Sequence, residues 1–122
     1  MNDPAIVADT SVLIHFLEGQ VAAGDWLLGR EVHVSIVTEI ELRTIASVKK
    51  NADFAVARML ASCSIWDISP SIKERCIWLR SNYRLKLADA LIAATAASLN
   101  MPLVTADKDF KRLKEVVDVR LL

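Results

Sequence analysis

LADALIAATAASL, residues 87–99, is a run of small and apolar residues with one carboxylate, Asp89, near its start. The run predicts a helix on which Asp89 shares a face with Ile92 and Ala96. A surface helix carries its acid on the opposite face. A carboxylate on an apolar face must be paired, protonated or bound to a cation, because burying it alone is costly. The alternative is a helix cap, in which Asp89 accepts hydrogen bonds from free backbone N–H groups.

The composition of the whole chain predicts one domain, residues 1–122, with an aliphatic core. Hydrophobic residues make up 53% of the 122 residues, whereas aromatic residues make up only 6%. Lys and Arg total 15, as do Asp and Glu, so the formal net charge is zero. Net charge alone therefore gives no sign of nucleic-acid binding, and any contacts to phosphate must come from local patches.

The cysteines and the N-terminus predict where the protein works. Cys63 and Cys76 form no CxxC pair and no metal-ligand cluster with His15 or His33, which is typical of reduced, buried thiols. The N-terminus lacks the basic and apolar regions of a signal peptide, and the uncharged apolar runs are too short to span a bilayer. We therefore expect a soluble cytoplasmic protein.

Short apolar runs alternate with helical patterns along the chain. Strands are predicted over residues 5–8 (bounded by Pro4), 32–36, 64–68, 103–106 and 117–121. Helices are predicted over residues 10–18, 21–28, 37–48, 52–61 (after a polar break at 49–51), 70–83, 87–99 and 108–114. This alternation predicts a three-layer α/β/α sandwich with a central, mainly parallel sheet.

Two acids follow predicted strands at the same relative position. Asp9 comes directly after the first strand, and Asp107 comes directly after the strand at 103–106. Open α/β sheets bind their ligands at the carboxyl ends of the strands, so both acids are candidates for a site at that edge. The alternative is again a helix cap, a role that Ser11 could take in place of Asp9.

The predicted helix at 37–48 carries two glutamates with different environments. Its apolar positions define one side: Val37, Ile40, Ile45 and Val48. Glu41 falls within that arc, whereas Glu39 lies on the wet face and can pair with Arg43 four residues later. Phe54, Ala57 or Arg58, and Ala61 form the predicted inward stripe of the next helix.

Four acids could therefore meet at one edge of the sheet: Asp9, Glu41, Asp89 and Asp107. Such a cluster repels itself unless it is protonated or bridged by a cation. Oxygen ligands without His or Cys favour Mg²⁺ or Mn²⁺. A divalent ion held by carboxylates is suited to activating water and to stabilising negative charge on phosphorus.

Four motifs carry a resemblance to a known family: VADTSVLI around Asp9, SIVTEIEL ending after Glu41, ADALIAATA around Asp89, and LVTADKDF around Asp107. On these motifs, and over nearly its whole length, the chain resembles the PIN domain and in particular the VapC-type ribonuclease toxins. The resemblance implies a metal-dependent endoribonuclease with the four acids as its catalytic and metal-binding cluster. It also implies that Thr105, together with Thr10 or Ser11, supports the site with hydroxyl groups.

The chain departs from the family pattern in two places. Residues 43–46 read RTIA, where many relatives have a glycine shortly after the Glu-Leu pair. Asp109 offers a second acid beside Asp107, so the identity of the fourth acid stays open between these two. Neither departure removes a member of the cluster.

The resemblance implies two partners besides RNA: a second copy of the chain in a homodimer, and a cognate antitoxin whose tail occupies a groove. The predicted helices at 10–18, 37–48 and 52–61 carry more aliphatic residues than one sheet needs, which is typical of an interface.

A basic group precedes the Asp89 helix. Arg80, Arg84 and Lys86 lie here, and Lys108 follows Asp107. They are candidate contacts for the RNA backbone, and the alternative is a solvated face whose charges suit a helix C-terminus.

Two other functions fit parts of the pattern. A non-catalytic PIN module would bind RNA or protein, although its acids would then have no purpose. A receiver-type phosphoacceptor domain shares the length and fold class, but Asp9 lacks an acidic neighbour and Asp53 lies in a helical context.

Overall fold

The computed structural model describes residues 5–49 and 52–122. The strands are β1 (Ile6–Ala8), β2 (Val32–Ser35), β3 (Ser64–Trp66), β4 (Leu103–Thr105) and β5 (Val119–Leu121). The helices are α1 (Thr10–Leu17), α2 (Val21–Leu27), α3 (Ile36–Val48), α4 (Asp53–Ala61), α5 (Pro70–Tyr83) and α6 (Leu87–Leu99), followed by a 3₁₀ helix (Lys108–Leu113). The five strands form one sheet in the order β3-β2-β1-β4-β5, and all neighbouring strands are parallel. The predicted fold class is confirmed.

β1 lies at the centre of the sheet and separates two hydrophobic cores. Val7 belongs to the core that α5, α6 and the 3₁₀ helix form. Ile6 and Ala8 belong to the core on the other face, with α1 to α4. Because successive side chains of a strand point to opposite faces, a strand covered on both sides reads as an unbroken apolar run.

The middle of the helix α6 is buried, and the helix packs against α5. Seven consecutive residues of α6, from Ala90 to Ala96, are buried. The small alanine side chains let this helix lie close to the sheet and to α5. It ends at Asn100, whose φ of 54° is left-handed and stops the helix. This packing fixes the first turn of α6, and with it Asp89, at the carboxyl ends of the strands.

The face that α3 turns inward differs from the predicted one. Thr38, Leu42 and Ala46 are its buried residues. Ile40 and Val48, which were expected to point inward, are 57% and 78% exposed. A buried threonine is tolerated because its hydroxyl is hydrogen-bonded, so apolarity alone did not identify the packed face.

The predicted stripe of α4 is wrong for a similar reason. Val56, Met59 and Leu60 are buried in α4, whereas Phe54 is 73% exposed. Apolar residues of α4 lie on several of its sides, so its sequence is compatible with more than one buried face. The segment predicted as a helix at 108–114 is a 3₁₀ helix, with Phe110 and Leu113 inward as expected.

Pro4 and the centre of the predicted polar break, residues 50 and 51, lie outside the described residues. Within the part of the chain that the structure describes, every helix is too short or too polar to cross a membrane.

Candidate active site

Asp9 lies just beyond β1 and is held by two hydroxyl groups. Its Oδ2 accepts hydrogen bonds from Ser11 Oγ at 2.7 Å and from Thr105 Oγ1 at 2.8 Å. These hydroxyls also bind the loop after β4, because Ser11 Oγ accepts from the N–H of Ala106 and Thr105 Oγ1 accepts from that of Asp107. The ends of β1 and β4 are thus joined through side chains, with Asp9 at the centre.

Glu41 is half-buried on α3 and is held by the start of α1. Thr10 Oγ1 donates to Glu41 Oε1 at 2.6 Å, and Thr10 Oγ1 lies 3.0 Å from Thr38 Oγ1. Glu39 instead forms an ion pair at 3.0 Å with the exposed side chain of Arg43. The predicted pair of Glu39 with Arg43 is confirmed, but both glutamates are half-buried, and the inner face of α3 includes Thr38 and Leu42 in place of Ile40 and Val48.

The two strongest cap alternatives are not realised. Asp9 occupies the N-cap position of α1 but makes no side-chain cap hydrogen bond. The N-cap residue of α6 is Lys86, and Asp89 lies inside the first turn of the helix. Asp107 does act as a cap, because its Oδ1 accepts from the N–H of Asp109 at 2.9 Å at the start of the 3₁₀ helix.

Asp89 is the electrostatic centre of the four acids. Burial raises the pKa of Asp89 above its ordinary value of 3.8, and the negative charges of Asp9, Asp107 and Glu41 raise it further. Lys86 partly offsets this shift. Every other member of the predicted cluster thus lies close enough to Asp89 to repel it.

The arrangement leaves one oxygen available on each of three supporting carboxylates. Asp9 uses Oδ2, Glu41 uses Oε1 and Asp107 uses Oδ1 for the hydrogen bonds above, and within the described residues their second oxygens accept none. A donor set made only of carboxylate oxygens fits a hard divalent cation. No three His, Cys, Asp or Glu side chains in residues 5–49 and 52–122 already converge as a finished metal-binding group.

Comparison with known proteins identifies the family. The PIN domain family matches residues 6–116. The chain belongs to the PIN-domain family. Ribonuclease VapC10 of Mycobacterium tuberculosis is 35% identical to it over 109 residues, covering 82% of this chain and 80% of that protein.

Solved structures share the same architecture. A toxin-antitoxin complex from Klebsiella pneumoniae contains a chain with a TM-score of 0.82 and 31% identity, covering 94% of this PIN domain and 95% of that chain. VapBC-5 from Mycobacterium tuberculosis, a member of the VapBC family of toxin-antitoxin systems, gives a TM-score of 0.73 at 28% identity, with 98% of both chains covered. The receiver-type alternative is therefore wrong, and Asp53 starts α4 rather than following a strand.

The structure separates the two candidates for the fourth acid of this PIN domain. Asp107 raises the pKa of Asp89, whereas Asp109 is absent from the causes of that shift. Asp109 instead pairs with Arg112 at 3.1 Å, and its side chain is 60% exposed. Arg112 also donates to the backbone carbonyl of Tyr83 at 2.8 Å, which ties the 3₁₀ helix to the end of α5. The geometry favours Asp107 as the member of the cluster.

The four candidate RNA-contacting residues fall into three environments. Arg80 and Arg84 line one open pocket of about 520 Å³, whose remaining wall is Ile77, Ser81 and Leu85. Arg80 Nε donates to the carbonyl of Leu85 at 3.3 Å, so this guanidinium is partly fixed. Lys86 lies close enough to Asp89 to influence its pKa. Lys108 is the exposed first residue of the 3₁₀ helix.

Sequence reasoning missed two residues of this neighbourhood, Thr38 and Arg112. Thr38 lies three residues before Glu41, so helical spacing places both on the same side of α3. A polar residue at that spacing from a half-buried acid was the available signal. Arg112 lies three residues after Asp109, which was the available signal for their ion pair, whereas its contact with Tyr83 had none because Tyr83 is distant in sequence.

Proposed function

We propose that this protein, a single PIN domain over residues 1–122, is a divalent-metal-dependent endoribonuclease that acts in the cytoplasm as the toxin of a toxin–antitoxin pair. The observation that carries this proposal is the convergence of Asp9, Asp107 and Glu41 on Asp89, whose pKa all three neighbours raise. Four like charges at one edge of a sheet have a structural cost, and holding a cation for phosphodiester hydrolysis offsets that cost.

Asp9, Asp89 and Asp107 would hold Mg²⁺ or Mn²⁺ through their available oxygens. A bound divalent cation supplies Lewis acidity, which lowers the pKa of a water molecule and neutralises charge on the phosphoryl oxygens. Glu41 orients the attacking water, because Thr10 occupies its Oε1 and leaves Oε2 to accept a hydrogen bond. Ser11 and Thr105 fix the carboxylate of Asp9.

The RNA backbone would contact the basic residues beside the acids. Arg80 and Arg84 share a pocket that opens next to the start of α6, and Lys86 and Lys108 flank Asp89 and Asp107 in sequence. Phosphate contacts of this kind position the substrate without reading its sequence. They would place a phosphodiester over the carboxylates despite the zero net charge of the chain.

The antitoxin would bind a groove on the opposite side of the sheet from α5 and α6. This groove, of about 290 Å³, lies between α1, α3 and α4, and its apolar walls are Ile14, Leu17, Leu42, Ile45, Ala55 and Val56. Exposed apolar surface of this kind marks an interface. The chain of the Klebsiella toxin-antitoxin complex, at 31% identity, supports an antitoxin partner, and Ribonuclease VapC10, at 35% identity, supports the ribonuclease activity. An Arg or Lys from the antitoxin tail would enter the acidic site and silence the enzyme.

We also propose a homodimer in the absence of antitoxin. A cleft of about 410 Å³ lies between α5, α6 and the segment before β5. Trp78 and Val116 line this cleft, are half-exposed and offer the second protomer an apolar surface. Light scattering at micromolar concentration should give twice the mass of 13.5 kDa, and a monomer would contradict the dimer.

The deciding experiment is RNA cleavage by the purified protein. We expect cleavage with Mg²⁺ or Mn²⁺, none with EDTA, and none by Asp89→Asn at matched metal concentration. Asp118→Asn is the control, because Asp118 is an exposed acid paired with Arg120 just before β5, at the opposite edge of the sheet. A protein that binds RNA without cutting it would instead be the non-catalytic module.

A further inference from the structure

The hydroxyl groups of Thr10 and Thr38 form a relay that ends on Glu41. Thr10 Oγ1 lies within hydrogen-bonding distance of both Glu41 Oε1, at 2.6 Å, and Thr38 Oγ1, at 3.0 Å. A threonine hydroxyl has one proton to donate, and an ionised carboxylate can only accept. Thr10 is therefore the donor in both contacts, and its one proton is shared between Glu41 Oε1 and Thr38 Oγ1.

The burial of this relay fixes its geometry. Thr38 has no exposed surface, and Thr10 is 7% exposed. A buried hydroxyl strongly favours a conformation in which it is hydrogen-bonded, since water cannot replace the lost partner. The Thr38 hydroxyl accepts from Thr10 and thus holds Thr10 in the rotamer whose hydroxyl also reaches Glu41.

Glu41 needs such a restraint because of its charged neighbours. It is half-buried, and it belongs to the group of acids that repel Asp89. Repulsion between Glu41 and Asp89 favours a rotamer that turns the Glu41 carboxylate towards solvent. The relay from Thr38 opposes that movement and keeps Glu41 beside the other acids.

We infer that Thr38 is a positioning residue, which holds Glu41 in the acidic cluster through Thr10. The inference rests on the proposed function for its catalytic consequence, but the position of Glu41 can be tested without any activity. Thr38 does not contact substrate in this scheme and acts only through Glu41.

The test compares two buried threonines with the same substitution. Thr38→Val removes the hydroxyl and keeps the shape of the side chain. Thr95→Val is the matched control, because Thr95 is 1% exposed and its hydroxyl donates to Leu91 O at 2.7 Å within α6, six residues after Asp89. Thr38→Ser restores the hydroxyl.

We expect Thr38→Val to lower kcat about tenfold, as is common for residues that orient a metal-site carboxylate, and to leave KM for RNA within about twofold. Its affinity for Mn²⁺, measured by calorimetry, should fall if Glu41 also contacts the ion. Thr38→Ser and Thr95→Val should keep kcat near that of the wild type. Equal kcat values in Thr38→Val and Thr95→Val would overturn the inference.

A double variant tests whether Thr38 acts through Glu41. In a Glu41→Gln background, Thr38→Val should cause no further loss of kcat, and a full additional loss would contradict the relay. Should Thr38→Val fail to fold, Thr10→Val replaces it in these tests, because this variant removes the hydroxyl that joins Thr38 to Glu41.

Crystal structures of the variants separate this inference from the proposed function. If the wild type cuts no RNA, the proposed function fails, but the position of Glu41 still decides the role of Thr38. We expect the Glu41 carboxylate to keep its place in Thr95→Val and to turn away from Thr10 in Thr38→Val. An unmoved Glu41 in both variants would refute the relay.

Discussion

Thr105 donates a 2.8 Å hydrogen bond to Oδ2 of Asp9 and joins two residues that are 96 positions apart in sequence. The bond forms because β1 and β4 are parallel neighbours, so their carboxyl ends reach the same edge of the sheet. The same adjacency brings Asp107 near Asp9. One strand pairing thus assembles half of the acidic cluster, while α6 and α3 contribute Asp89 and Glu41.

Asp89→Asn should abolish RNA cleavage and raise the melting temperature of the metal-free protein. The pKa of Asp89 is raised in the folded state above 3.8, so the charged carboxylate disfavours folding. This penalty is absent below the unfolded pKa and grows as pH rises through the folded pKa. Melting curves in EDTA across that pH range should show that the melting temperature of the wild type falls as the pH rises. The fall should be smaller in Asp89→Asn. Identical pH dependences would contradict the raised pKa.

The two glutamates of α3 provide a matched pair. Glu41→Gln should lower kcat about 100-fold, because an amide cannot replace a carboxylate that orients or deprotonates water. Glu39→Gln removes only the i,i+4 pair with the exposed side chain of Arg43, worth a few tenths of a kcal/mol, and should leave kcat unchanged. Steady-state kinetics and thermal melts measure both effects, and equal kinetic effects would disprove the different roles assigned to Glu41 and Glu39.

Substitution of Asp107 should impair metal binding and catalysis, whereas substitution of Asp109 should not. Asp107→Asn is expected to weaken Mn²⁺ binding and to lower kcat by about tenfold or more, since it removes a charge that acts on Asp89. Asp109→Asn breaks only an exposed pair with Arg112 and should leave Mn²⁺ affinity near the wild-type value. Calorimetric titration with Mn²⁺ compares them. Stronger loss in Asp109→Asn would make Asp109 the fourth acid.

Two substitutions on α4 test the proposed antitoxin groove. Ala55 lines the groove, whereas Ala57, two residues later, is exposed outside it. Ala55→Arg should fill the groove and block inhibition by the protein encoded beside this gene, while Ala57→Arg should leave inhibition intact. Copurification and inhibition of RNA cleavage measure binding. Normal inhibition of Ala55→Arg would place the antitoxin elsewhere, and an inert neighbouring protein would remove the toxin assignment.

The sequence by itself determined the order of the elements and the carriers of the acids. Buried parallel strands are unbroken apolar runs, so the sequence predicted β1 and β4. The acid that follows each strand was identified by its position. The helix α6 was predicted over Leu87 to Leu99 from its run of alanines and aliphatic residues. Its one acid indicated a functional site, because a carboxylate among apolar residues has few structural roles. Glycine at position 19, with a φ of 82°, marked the turn after α1 for a local reason.

Tertiary structure alone decided which helix faces are buried and which side chains support each acid. Apolar residues lie on several sides of α3 and α4, so their packing against the sheet, and not their periodicity, selected Leu42 over Ile40 and Val56 over Phe54. Asp9 does not cap α1, because the hydroxyl groups of Ser11 and Thr105 donate hydrogen bonds to its carboxylate. Thr105 lies 96 positions later in the sequence. Asp109 was separated from Asp107 by the partner Arg112. Hydrogen bonds and charge repulsion act through space, so the sequence could name the acids but not the groups that hold them in place.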